Sequence, residues 1–243
     1  MTKNILVTGV SRGLGLDIVK TILAKEEYCI YGISRLMTKE LEELLIKYAN
    51  RFKWISYDLA NVNDIRDKIF KEFIWLKTPL HGYINNAAIA YDDVVTNINY
   101  KLLLNMYNVN VFAPMMITKY VIRQFLLHNI KGSIVHLSSI SVHTGYKGLA
   151  MYASSKGALE AFSKNTAREW GEKGVRSNTL VAGFMKTDMS ATLSDDQKDR
   201  IYKRTSMKIA TTTKSVAETI TFLLSDGAES ITGQNIHVDS GTI

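Results

Sequence analysis

The chain has 243 residues, 46% hydrophobic and 22% charged, with 30 Lys and Arg against 23 Asp and Glu for a net charge of +7. That balance supports a packed core and argues against a disordered chain, and no apolar run reaches the ~18 residues a membrane span needs. Its basic residues are spread along the chain rather than clustered with aromatics, which favours a solvated lysine-rich surface over a nucleic-acid module.

Met1-Thr2-Lys3-Asn4 runs directly into a strand at 4–8, leaving no room for the apolar stretch of a signal peptide, so a cytoplasmic protein is expected. A helix over 14–25 precedes a second strand at 28–33. That strand carries Cys29, the sole cysteine, which excludes an internal disulfide and reads as a buried, inert thiol. Helix 38–50, strand 53–57, helix 62–75, strand 81–85 and a long helix over 98–128 follow. Strand 133–137, helix 151–172, strand 175–181, helix 214–225 and strand 235–238 complete the alternation. Near-continuous apolar strands separated by amphipathic helices predict one α/β domain over 1–243: a doubly wound, seven-stranded parallel sheet with helices on both faces. Residues 188–213 read as a polar, helix-punctuated insert where a substrate lid would sit. Helices 98–128 and 151–172 carry apolar residues on more than one face, which predicts homo-oligomerisation. The five histidines are scattered, with no HxxxH pair, so no metal is expected.

Between the first strand and its helix stands Thr8-Gly9-Val10-Ser11-Arg12-Gly13-Leu14-Gly15. Gly9 would turn the chain out of the strand, Gly13 would let backbone approach phosphate, and Gly15 would let the helix pack on the sheet. With Ser11, Arg12 and Leu14 they form a candidate pyrophosphate cradle at a helix N-terminus. At the end of the second strand, where a carboxylate would hold ribose hydroxyls, the chain has Ser34-Arg35, and no acidic residue falls between Tyr28 and Lys39. Arg35, with Arg12 opposite, suits a 2′-phosphate, which makes NADP(H) the expected cofactor. Asp58 and Leu59 follow the third strand; the carboxylate either faces adenine or caps the next helix. Asn86, Ala87 and Ala88 follow the fourth, small enough to lie against a nucleotide.

Tyr152 and Lys156 are four apart and share one face of the 151–172 helix. A nearby ammonium would lower the phenol's pKa toward the operating range of an acid/base. Ser139 lies at a strand's carboxyl end, where doubly wound sheets bind ligands, with Ser138 and Ser141 as competing turn residues.

The TGxxxGxG spacing, Asp58, Asn85-Asn86-Ala87-Ala88, Asn110, Ser139, the YxxxK pair, Ala182-Gly183 and Thr187 resemble, in order, the short-chain dehydrogenases/reductases, a Rossmann-fold family. The resemblance implies Tyr152 as acid/base, Ser139 as its partner on the substrate oxygen, and Lys156 on the phenolate and nicotinamide ribose. It implies Asn110 as anchor of a proton-relay water, Thr187 on the nicotinamide amide, and Gly183 lining the cofactor. Two departures are the alanines at 88 and 182, where the family usually has glycine and proline.

The segments Ala182-Gly183-Phe184, Thr187-Asp188-Met189, Leu193-Ser194-Asp195-Asp196-Gln197 and Ile231-Thr232-Gly233-Gln234 are most similar to 3-oxoacyl-[acyl-carrier-protein] reductases. That implies reduction of a β-ketoacyl thioester, an acidic acyl carrier protein as partner, which a basic surface would suit, and a homotetramer. The carrier-docking arginine before the fifth strand is replaced by Ile130-Lys131, Lys173 falls near a second docking position, and segment 89–105 lacks the usual charged stretch. Reduction of a sugar, polyol or secondary-metabolite ketone is the alternative; a catalytically silent nucleotide sensor is the alternative of another class.

Overall fold

The computed structural model describes residues 2–186 and 194–243, with the side chains of Asp195 and Gln197 excepted. Its strands are β1 (Lys3–Thr8), β2 (Tyr28–Ser34), β3 (Phe52–Ser56), β4 (Gly82–Asn85), β5 (Ser133–Ser139), β6 (Arg176–Ala182) and β7 (Asn235–Val238). The helices are α1 (Gly13–Leu23), α2 (Lys39–Lys47), α3 (Tyr100–Tyr107), α4 (Ala113–Leu127), α5 (Ser141–Thr144), α6 (Ala150–Trp170), α7 (Asp195–Arg204) and α8 (Thr213–Leu224).

The seven strands form one sheet in the order β3-β2-β1-β4-β5-β6-β7, every pair parallel. The expected doubly wound architecture is therefore present. Alternate residues of each strand feed opposite faces. Ile5 and Val7 of β1 join a core with Ile18, Ile22, Val216 and Ile220 of α1 and α8. Leu6 between them joins a second core with Ile69, Ile117 and Val121. Burial on both faces is why these strands read as continuous apolar runs. The chain winds outward from β1 to β3, then returns to β4 and winds the other way. That reversal opens a crevice beyond the carboxyl ends of β1 and β4.

Three expectations need correction. The long helix predicted over 98–128 is two helices, α3 and α4, joined by a wide π-helical turn at Asn108–Phe112. Pro114, in the first turn of α4, has no N–H, so the α ladder cannot run on through the carbonyl of Asn110. The helix predicted over 62–75 is a 3₁₀ turn at Val62–Asp64 followed by a π-helical stretch, Arg66–Phe73. Cys29 is half-buried rather than buried, the one residue of β2 that is not fully covered. The predicted insert at 188–213 lies in part outside the described residues; its described part includes α7. Among the described residues no helix is long and apolar enough to cross a membrane.

Two glycines set how tightly α1 approaches the sheet. Gly9 has a φ of 75°, a conformation that carries strain for any side chain. A Cβ on Gly15 would lie 1.8 Å from the carbonyl oxygen of Gly9. Gly15→Ala must therefore push the helix off the sheet, at an expected cost of about 1–3 kcal/mol in urea unfolding. An unchanged unfolding midpoint would contradict that packing.

Candidate active site

The crevice is a cleft of about 550 Å³. Most of the residues expected at a cofactor line it: Gly9, Ser11, Arg12, Gly13, Leu14 and Gly15 of the first loop, Ser34, Arg35, Asp58 and Leu59, then Asn86, Ala87 and Ala88, with Tyr152 and Lys156 at the inner end. The loops are tied to one another. Asn86 Nδ2 donates to the carbonyl oxygens of Thr8 at 3.0 Å and Gly9 at 3.1 Å, while Thr8 Oγ1 accepts from the N–H groups of Asn86 and Ala87, each at 3.2 Å. Thr38 caps α2 and donates from Oγ1 to the Ser11 carbonyl at 2.7 Å. The sequence reading missed both threonines as site residues, although Thr8 opens the glycine motif and Thr38 stands just before an amphipathic helix.

Arg12 and Arg35 are exposed at the outer end, with Ser34 between the strand and Arg35. The Ser34 hydroxyl is occupied within the protein: it accepts from Trp54 Nε1 at 2.8 Å and donates to the Leu36 carbonyl at 3.1 Å. Ser56 Oγ donates to the Arg35 carbonyl at 2.8 Å and steadies the backbone there. Asp58 reconciles the two readings offered for it: its Oδ1 accepts from the Ala60 N–H at 2.9 Å, closing the turn, while the residue also lines the cleft. Ala88 is not among the residues with positive φ, so its methyl fits where the family usually has glycine.

At the inner end, α6 presents Tyr152 and Lys156 on one face. Lys156 is 2% exposed, and its Nζ donates to the Leu137 carbonyl of β5 at 2.8 Å and lies 5.8 Å from the Tyr152 ring centroid. Burial drives the lysine down to about 8. Burial, aided by the Asp92 carboxylate, drives the Tyr152 phenol up to about 12. This corrects the expectation that Lys156 lowers the phenol: the ammonium is directed at Leu137, and desolvation outweighs its attraction. With the protein's own groups alone, Tyr152 stays protonated across neutral pH and is a proton donor.

The three serines are placed differently, and of them Ser138 is the one that lines the cleft. Ser138 turns to α6 and donates to Glu160 Oε1. Ser139, half-buried, accepts at Oγ from Ser141 Oγ at 3.0 Å and from the Ser141 N–H at 3.2 Å. Ser139 does not itself line the cleft; it borders it, between Ser138 on β5 and α5. Asn110 is fully buried: it accepts from the Ile89 N–H and donates to the Ile89 carbonyl, both at 2.9 Å, and donates to Ser155 Oγ at 3.0 Å. Its side chain clasps the 89 segment to α6 rather than reaching Lys156. Gly183 likewise stands off the cleft, packed against Asp239 with its N–H on the Val238 carbonyl, while Ala182 and Met185 line it. Thr187 lies outside the described residues.

The buried Lys156 has a measurable consequence. Unfolded, the amine keeps its proton to about 10.5; folded, it gives it up near 8. Below pH 8 both states are charged and the folded chain carries a penalty of about 3 kcal/mol. Between pH 8 and 10.5 the unfolded chain binds more protons, so stability rises with pH. Lys156→Met should therefore unfold about 1–3 kcal/mol later at pH 7 and lose that rise, as read by urea titration from pH 7 to 10. A less stable variant would show that the Leu137 bond outweighs the buried charge.

A family model described as enoyl-(acyl carrier protein) reductase matches residues 9–242. The chain is 31% identical over 241 residues to the L-xylulose reductase of Caenorhabditis elegans, covering 98% of this chain and 95% of that one. It is also 31% identical over 245 residues to the 3-oxoacyl-[acyl-carrier-protein] reductase FabG of Staphylococcus epidermidis, covering 99% of each. Among solved structures it matches 4-hydroxyisoleucine dehydrogenase complexed with NADH, with a TM-score of 0.92 and 25% identity over 99% of this chain and 98% of that one. ElxO with NADP bound matches with a TM-score of 0.86 and 29% identity over 100% and 99%.

Proposed function

The chain belongs to the short-chain dehydrogenase/reductase family of oxidoreductases, and on that premise we propose that it reduces a ketone to a secondary alcohol with NADPH. One observation carries the reading: a protonated, half-buried phenol and a buried amine share one helix face at the inner end of a cleft whose outer end is a glycine loop between two arginines.

The protein's own residues fit a nicotinamide dinucleotide. A Cβ on Gly9 or Gly15 would fill the cradle, the N-terminus of α1 opens onto it, and the outer end carries positive charge without a carboxylate on β2. Gly9, Ser11, Gly13, Leu14 and Gly15 would hold the pyrophosphate, Arg12 and Arg35 the 2′-phosphate beside Ser34, whose hydroxyl proton is already given to the Leu36 carbonyl, and Asp58 and Leu59 the adenine. Asn86, Ala87, Ala88 and Gly183 would border the riboses, and Thr187 the nicotinamide amide. The relatives of solved structure carry NADH in one case and NADP in another; the arginines favour NADPH here.

When bound, the nicotinamide supplies the hydride. Tyr152 gives its proton to the substrate oxygen as negative charge develops there, and Ser139 donates a second hydrogen bond to that oxygen. Lys156 stabilises the phenolate that remains. Asn110 holds the 89 segment against α6, and any relay water it anchors serves Lys156 after turnover.

For the substrate we favour a 3-oxoacyl thioester on an acidic acyl carrier protein. A sugar or polyol ketone is retained as a second reading for two reasons. The relative named L-xylulose reductase is as similar as the acyl reductase. Further, Lys131 and Lys173 precede β5 and β6, at the sheet edge opposite Tyr152. We further read the exposed Tyr100, Leu102 and Leu104 of α3 as part of a homotetramer surface, and the whole as a cytoplasmic enzyme.

The test is a panel of acetoacetyl-CoA, 3-oxoacyl carrier thioesters and keto sugars with each nucleotide. NADPH should exceed NADH in kcat/KM by ten- to a hundredfold, on the order of one or two charge-assisted phosphate bonds, and Arg35→Ala should erase most of that ratio. Equal use of NADH would refute the NADP assignment. Tyr152→Phe should bind NADPH normally and lose about 10²–10⁴-fold in kcat, the usual worth of a positioned acid. Full turnover in that variant, or nucleotide binding without turnover across the panel, would overturn the reading, the latter in favour of a nucleotide sensor.

A further inference from the structure

One buried carboxylate in this region has no part in the chemistry above. Glu160 is 7% exposed on α6, one turn beyond Lys156 and two beyond Tyr152, on the same face. Its oxygens are engaged from three directions. Oε1 accepts from Ser138 Oγ on β5 and from His143 Nε2 on α5 at 3.1 Å; Oε2 accepts from Asn235 Nδ2 on β7 at 2.8 Å. His143 also meets the ring of His237, with centroids 5.1 Å apart.

The residues so fixed flank Ser139 on both sides. Ser138 precedes it on β5, and α5 begins two residues after it, at Ser141. Ser141 donates to Ser139 Oγ from both its N–H and its hydroxyl. With its lone pairs taken, the Ser139 hydroxyl has its own proton left to donate, which is what a substrate oxygen requires. A four-residue helix has little stability of its own, so its place depends on outside anchors. His143 is its hydrogen-bonded link to α6, beside the packing of Val142 at Gly157.

We propose that Glu160 is a positioning residue: by binding Ser138, His143 and Asn235 together it sets the Ser139 hydroxyl in register with Tyr152 on the same helix. The proposal rests on the ketone-reduction reading only for its kinetic arm. A shift of about 1 Å in a positioning group costs up to about a hundredfold in rate.

The test uses a compensating swap. Glu160→Gln sets an amide N–H₂ against a donor, either Asn235 Nδ2 or the Ser138 and His143 pair, whereas Glu160→Gln with Asn235→Asp restores a donor facing an acceptor at each contact. In the single variant, amide hydrogen exchange over residues 139–144 should quicken about tenfold relative to the rest of the chain, and kcat/KM for the ketone should fall by a similar factor. NADPH dissociation should stay within about twofold, and the double variant should recover both losses. If Glu160→Gln does not fold, His143→Phe and His143→Gln pose the same question, the second retaining a donor near Nε2. A parent inert toward ketones would count against the proposed function, while hydrogen exchange would still decide this one. Uniform exchange across the chain, or no recovery in the swapped pair or in His143→Gln, would overturn the proposal.

Discussion

A charged amine held behind the sheet edge is the constraint on which the inner site depends. Lys156 reaches out of α6 to the Leu137 carbonyl, so the helix that carries Tyr152 is fixed to the strand that ends in Ser139. The same burial that makes the lysine reluctant to hold its proton makes the phenol reluctant to lose one. Two groups of opposite charge type are thus both pressed toward neutrality by one dry environment.

The outer site rests on a different economy of contacts, made of backbone and short side chains. Asn86 and Ala87 make four hydrogen bonds to Thr8 and Gly9 between the ends of β4 and β1, and Thr38 fastens the same loop to α2. None of these groups carries charge. They brace the loop at the start of α1 beside the cleft, where the end of β2 presents no carboxylate. Neutral side chains thus anchor the loops of the cleft, and two exposed arginines stand at its outer end.

Much of this was legible in the chain because the signals were local. Near-continuous apolar strands reported burial on two faces, and glycines at 9 and 15 reported a sharp turn with positive φ and a close helix contact, both present in the fold. What the sequence hid was set by distant partners. The break between α3 and α4 is signalled only by Pro114. The direction of the Tyr152 shift depends on where Lys156 points and on Asp92, sixty residues away in the chain. The engagement of Asn110 by Ile89 and Ser155 joins three segments whose meeting no spacing rule foretells. Periodicity reads which face is buried; it does not read what a buried polar atom will find there.

The bond from Asn86 to Thr8 spans 78 positions. A chain emerging from the ribosome has the whole glycine loop in hand early, yet cannot close it until β4 has been made and paired with β1. The loop of the cleft is thus closed only when the chain has reached Asn86, although its glycine motif is the first part to appear. A nucleotide in the surrounding solution has no cradle to enter until then, so its affinity is drawn on only once the centre of the sheet is complete.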